Sequence, residues 1–284
     1  MRRFALLILF AACICPAIHA QDKDEISCYS YREDNAAQKK KLWDGYEISL
    51  GPSRNPDDVE FKCTAAIYNS AGRVVFRTKG FSVVFDQELT GEDFDGDGKP
   101  DVVFRADTGG GQHCCWGYVI YSLAPKPHKL FEIAMEGRVD FDKDKDGQMV
   151  IWQRAGGPAG FTSMAGRPFA AKVLRVREGK LVDVTQEYCG TKDQRLERGY
   201  VAPEDLKKLA NTGERNFTED ERIISTLESR TLQHVFCREY DEALKDLNLW
   251  PAGKREIVMK GFVEALGGDY PEFTAKLQEI LKKN

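Results

Sequence analysis

Between residues 43 and 185 the chain is written in short runs that suit strands and little else. Tyr46-Glu47-Ile48-Ser49-Leu50 alternates apolar and polar side chains, as does Val59-Glu60-Phe61-Lys62-Cys63, continuing through Ile67. Further runs lie at 73–76, 81–85, 101–106, 116–122, 129–135, 149–153, 171–177 and 181–184. A period of two puts successive side chains on opposite faces of a half-buried sheet, and turn residues bound nearly every run. Arg177-Glu178-Gly179-Lys180 reads as a tight hairpin. After about residue 186 the period changes. Thr218-Glu219-Asp220-Glu221 fits a capping box, and Ile223, Ile224, Leu227, Val235, Phe236, Tyr240, Ala243, Leu244 and Leu247 recur at helical spacing. That predicts one long amphipathic helix, ended by Trp250-Pro251. A helix over 252–266 stops at Gly267-Gly268, and Pro271 opens a last one carrying Phe273, Leu277 and Leu281. Pro203 marks an earlier helix start. The expectation is an α+β chain: an antiparallel, β-rich part over 21–190, then a helical part over 191–284. Residues 21–40 are expected to form a loose lead-in apart from Cys28.

The first twenty residues stand outside this pattern. Arg2 and Arg3 precede an apolar run from Phe4 to Ile14, Pro16 breaks it, and Ala20 offers a small residue for cleavage. This predicts a secretory signal peptide over 1–20 and a secreted or periplasmic protein. Phe10-Ala11-Ala12-Cys13 departs from a lipobox at its phenylalanine, so a lipid anchor at Cys13 is the weaker alternative. The apolar run is too short to cross a bilayer, and no later one is longer. Cleavage removes Arg2 and Arg3, leaving 39 basic residues of 41 against 45 acidic ones, a net −6. Such a charge disfavours nucleic acid as a partner. Six cysteines remain: Cys28, Cys63, Cys114, Cys115, Cys189 and Cys237. An even number in an oxidising compartment predicts disulfides, with the pairing left open.

The segment richest in chemistry is Asp93-Phe94-Asp95-Gly96-Asp97-Gly98-Lys99-Pro100-Asp101. Carboxylates stand at its first, third, fifth and ninth positions and a glycine at the sixth. Calcium takes about six to eight oxygens at about 2.3–2.6 Å. Alternating aspartates in a tight loop aim their oxygens into one hollow, Gly98 permits the bend, and the Lys99 carbonyl can join the ring. The EF-hand's twelfth-position glutamate is missing: Phe104 stands there and Arg105 follows, so two flanking helices are not expected. An Asp/Gly-rich hairpin turn without metal is the plainer alternative. Asp93 to Val103 resembles the calcium loop of FG-GAP/VCBS repeats, the repeats of integrin α propellers and many bacterial secreted proteins. The resemblance implies Ca²⁺ held by Asp93, Asp95, Asp97, Asp101 and the Lys99 carbonyl, within propeller-blade-like sheets.

A second run, Asp140-Phe141-Asp142-Lys143-Asp144-Lys145-Asp146-Gly147, looks like a degenerate copy. Asp142, Asp144 and Asp146 are its candidate ligands, but Val150 occupies the ninth position. A solvated turn between strands is the stronger expectation. Two such units do not close a propeller.

Asp107-Thr108-Gly109-Gly110-Gly111-Gln112-His113-Cys114-Cys115 admits two readings. His113, Cys114 and Cys115 could form a thiol or metal redox site; structural disulfides are the stronger expectation. The Gly-Gly-x-His-Cys-Cys segment is similar to one in a group of exported bacterial proteins, which also share the pattern around 179–188 and 270–281. That likeness implies fold and export, and no activity.

No serine-hydrolase elbow, zinc-protease helix, phosphate loop or dinucleotide fingerprint occurs. Paired carboxylates of a secreted hydrolase are not singled out. Trp43, Trp116, Trp152 and Trp250 could line a groove but suit a core better. The leading reading is a non-enzymatic, calcium-binding, disulfide-stabilised module that binds a protein or an envelope polymer. A redox site and a hydrolase are the alternatives.

Overall fold

Three antiparallel sheets, each built on four consecutive strands, make up the N-terminal two-thirds of the chain. The computed structural model describes residues 26–33, 35–54, 61–107, 109, 116–134, 138–156, 168–191, 193–196, 217–250 and 252–283. The first sheet runs β2 (Gln38–Lys41), β3 (Glu47–Pro52), β4 (Cys63–Tyr68) and β5 (Val74–Gly80). The second places β1 (Ser27–Tyr29) on the edge of the meander β6 (Ser82–Phe85), β7 (Asp101–Asp107), β8 (Trp116–Ser122) and β9 (His128–Ala134). The third is β10 (Val139–Lys143), β11 (Met149–Gly156), β12 (Phe169–Arg177) and β13 (Lys180–Asp183). The α+β expectation holds.

Alternation decides how the sheets stack. On β7, Val102, Phe104 and Ala106 pack with Ile48, Leu50, Ala65 and Ile67 of the first sheet. Val103 faces the opposite way, joining Ile120 and Ile133 against Val139, Met149, Ile151, Leu174 and Val176 of the third sheet. The second sheet is therefore the middle layer, which is why β7 reads as a nearly continuous apolar run. The outer face of the third sheet carries Val150, Trp152 and Val173, covered by Val184, Tyr188 and Leu196. Cys28–Cys63 bolts the middle sheet to the first.

Two strands lie where a loose lead-in was expected. β1 pairs with β6, Cys28 opposite Val83, and is anchored by the disulfide of that cysteine. β2 is Gln-Lys-Lys-Lys, which carries no apolar signal because it is an edge strand, where lysines discourage further pairing.

The helices are α1 (Thr185–Tyr188), α2 (Phe217–Phe236), α3 (Tyr240–Asn248), α4 (Ala252–Leu266) and α5 (Pro271–Lys283). The last two match the expected bounds. The single long helix over 218–247 does not form: it breaks between α2 and α3. Arg238 is left-handed (φ 58), Glu239 N–H donates to the His234 carbonyl and Arg238 N–H to that of Val235. This is a Schellman stop made without glycine. Beyond it His234 Nδ1 meets Glu239 Oε2 at 2.7 Å, and Arg230 forks onto Asp246 at 2.6 and 2.9 Å. Cys237 is tied to Cys189, so the corner is fixed to the end of the sheet region. The Pro203 helix start lies outside the described residues.

The helices also finish the third sheet. β13 pairs with β12 only from Leu174 onward, leaving 169–173 without a strand on that side among the described residues. Side chains replace it. Ser229 Oγ accepts from Phe169 N–H, Gln233 both accepts from Ala171 N–H (2.9 Å) and donates to its carbonyl (3.2 Å), and Thr185 Oγ1 accepts from Val173 N–H. Buried backbone groups are thereby paired by α2 and α1 in place of a fifth strand.

Candidate metal centre

The loop before β7 is held by its own aspartates. Asp93 Oδ1 accepts from Gly96 N–H (2.7 Å) and Asp97 N–H (3.2 Å), while Oδ2 accepts from Gly98 N–H (2.8 Å). Asp97 Oδ1 accepts from Lys99 N–H at 2.7 Å. Gly96 and Gly98 have φ of 78° and 80°, the region that glycine enters without strain. Phe94 points inward, its ring edge-on to Phe131 and Phe141. The alternation of aspartate and phenylalanine thus turns Asp93 and Asp95 to one side and anchors the loop on the other.

Asp101 opens β7 at the floor of this loop and is fully buried. Its Oδ2 accepts from Phe94 N–H at 2.9 Å. Its Oδ1 is buried and makes no hydrogen bond of ordinary geometry among the described residues. One carboxylate oxygen from each of Asp93, Asp95 and Asp101 lies within 4.8 Å of the other two. That separation is about twice a calcium–oxygen distance, so one ion can touch all three. An unsolvated carboxylate oxygen is costly to leave unmade, and a divalent ion would satisfy it. Burial pushes the Asp101 carboxyl up to about 7, opposed by the Phe94 amide and the Ser122 hydroxyl and reinforced by the charges of Asp95 and Asp93. Burial also raises Asp95, with the charges of Asp97 and Asp93 adding to it. These three residues fit a hard cation. Asp97 and Lys99 are exposed on the rim, and Asp97 is not in the converging group.

The second acidic run is organised differently. Among the described residues no group of three metal-ligating side chains converges except Asp93, Asp95 and Asp101, so Asp142, Asp144 and Asp146 are not brought together. Val139–Lys143 is a strand, and the turn follows it. Asp144 Oδ1 accepts from Asp146 and Gln148 N–H, much as Asp93 does in the first loop. Its Oδ2 meets Arg175 NH2 at 2.5 Å, and the same guanidinium reaches Tyr188 Oη at 2.9 Å. The Arg175 guanidinium thus neutralises Asp144. Asp142 is exposed and faces Arg195.

Cys28, Cys63, Cys189 and Cys237 are paired in the two disulfides. His113, Cys114 and Cys115 lie outside the described residues, so the thiol reading of that segment does too. Trp152 and Trp250 are core residues.

A groove of about 520 Å³ runs beside the Asp93–Asp101 loop. Glu92, Asp93 and Asp95 form one wall; Lys143, Gly147 and Gln148 of the second acidic loop and Arg175, Arg177 and Glu178 of the β12–β13 hairpin form the other. Glu178 and Gly179 both have positive φ, as a tight hairpin turn requires. Sequence reasoning found both acidic loops and this turn, but nothing in their spacing shows that they share a groove.

No protein-family model, curated protein or solved structure matches the chain.

Proposed function

We propose that this is an exported calcium-binding protein that works by holding another macromolecule and not by catalysis. The observation that carries the reading is the buried Oδ1 of Asp101, which makes no hydrogen bond of ordinary geometry among the described residues, beside Asp93 and Asp95. Burying a carboxylate without a partner is unfavourable, and a calcium ion removes the penalty. Export is supported by the two disulfides, which belong to oxidising compartments. The four-stranded meanders are compatible with the blade connectivity that the FG-GAP/VCBS resemblance implies. No helix among the described residues is long and apolar enough to cross a membrane. The test is calcium titration by calorimetry of the wild type and of Asp101→Asn. The variant is expected to lose at least about tenfold in affinity, since one charged ligand is gone. Equal affinity in the two proteins would refute the assignment.

A further inference from the structure

The groove beside the metal loop has a charge balance that narrows what it can take. Its cationic side chains are already matched. Lys143 Nζ lies 2.7 Å from Glu92 Oε2, Arg175 is paired with Asp144, and Arg177 NH2 lies 2.7 Å from Glu187 Oε1. Asp93, Asp95, Asp101 and Glu178 have no ion pair among the described residues. A divalent cation at the aspartates leaves this neighbourhood about two charges negative. An anionic ligand is repelled on balance, and a cationic one would face the metal.

What the groove does offer is hydrogen bonding of both senses. Lys143, Arg177 and Gln148 donate; Glu92, Glu178 and the Gln148 carbonyl accept. Calcium adds a further demand. Three carboxylates converge, whereas the ion takes about six to eight oxygens. Asp93 and Asp95 line the groove, so an ion they hold borders it. Ligands that supply uncharged oxygens, and both donate and accept, are polyhydroxyl compounds. The volume is in the range of small-molecule sites.

We infer that this groove is a calcium-dependent site for a neutral, hydroxyl-rich ligand, the size of one or two sugar rings. The inference rests on the calcium reading above and names the class of partner for that site. Lys143 and Arg177 donate to ligand hydroxyls, Glu92 and Glu178 accept from them, and the ion takes two neighbouring hydroxyl oxygens.

The experiment is saturation-transfer NMR of the purified protein with mannose, galactose, fucose and galacturonate, in calcium and in chelator, alongside thermal melts. The expected result is transfer to one or more neutral sugars in calcium only. Lys143→Ala/Arg177→Ala alters two exposed side chains; it should keep the calcium-induced rise in melting temperature and lose at least about tenfold in sugar affinity. A calcium-induced rise with no transfer to any neutral sugar would overturn the inference and leave the metal assignment standing. Preference for galacturonate over galactose would overturn the neutral class. Absence of any calcium-induced rise would remove the metal and the sugar site together.

Discussion

Glu228 on α2 is fully buried, and neither of its carboxylate oxygens has a hydrogen-bond partner among the described residues. Burial raises it from an ordinary 4.5 to about 8. The folded protein therefore keeps this proton over a pH range in which the unfolded chain has lost it. For an acid shifted upward, stability is unaffected below pH 4.5 and falls as pH rises toward 8. Each pH unit in that window removes about 1.4 kcal/mol, so by pH 7 the cost is about 3 kcal/mol. Glu228→Gln keeps the shape and removes the titration. The variant should match the wild type near pH 4 and exceed it by about 3 kcal/mol at pH 7. Asp101 also titrates upward, but it does so in both proteins and cancels from the difference. The assay is urea unfolding of both proteins across pH 4–8. A stability difference that stays constant across that range would show that Glu228 is not buried as an unpaired acid.

Other expectations concern how the parts are joined. Gln233→Leu leaves the N–H and carbonyl of Ala171 buried and unpaired, and should cost about 2–5 kcal/mol, read as a lower urea midpoint. Gln233→Asn, too short to reach both groups, should also destabilise; an unchanged midpoint in both variants would refute the role of Gln233 as a replacement strand. Cys189 and Cys237 are 48 residues apart, and chain-entropy arguments give their bond about 4 kcal/mol. Replacing both by alanine should lower unfolding free energy by roughly that amount, and a loss under about 1 kcal/mol would contradict it.

The layout was legible where burial follows a regular period. β7 and the two C-terminal helices were placed from their apolar residues to within a residue or two. β2 was missed because an edge strand needs no buried face, and its lysines look like solvent-exposed coil. The break at Arg238 was missed because the stop is supported from outside the helix, by the Cys189–Cys237 bond, the His234–Glu239 hydrogen bond and the Arg230–Asp246 ion pair, with no glycine or proline to announce it. The acidic loop was legible because its aspartates fall within nine residues of one another in sequence. The fate of the second loop was not: Arg175, which pairs with Asp144, lies 31 residues away. Nor could the groove be read from the chain, since its walls come from two different sheets.

Calcium held by Asp93, Asp95 and Asp101, as proposed above, would bind the folded state and stabilise it. The most direct measurement is the thermal melt of the purified protein in calcium, in magnesium and in chelator. An ion bound only by the folded state adds about 2.7 kcal/mol at a hundredfold excess over Kd. A clear upward shift is expected with calcium, little with magnesium, and a shift reduced to about half or less with calcium in Asp101→Asn. Superimposable melts of the wild type in calcium and in chelator would contradict it.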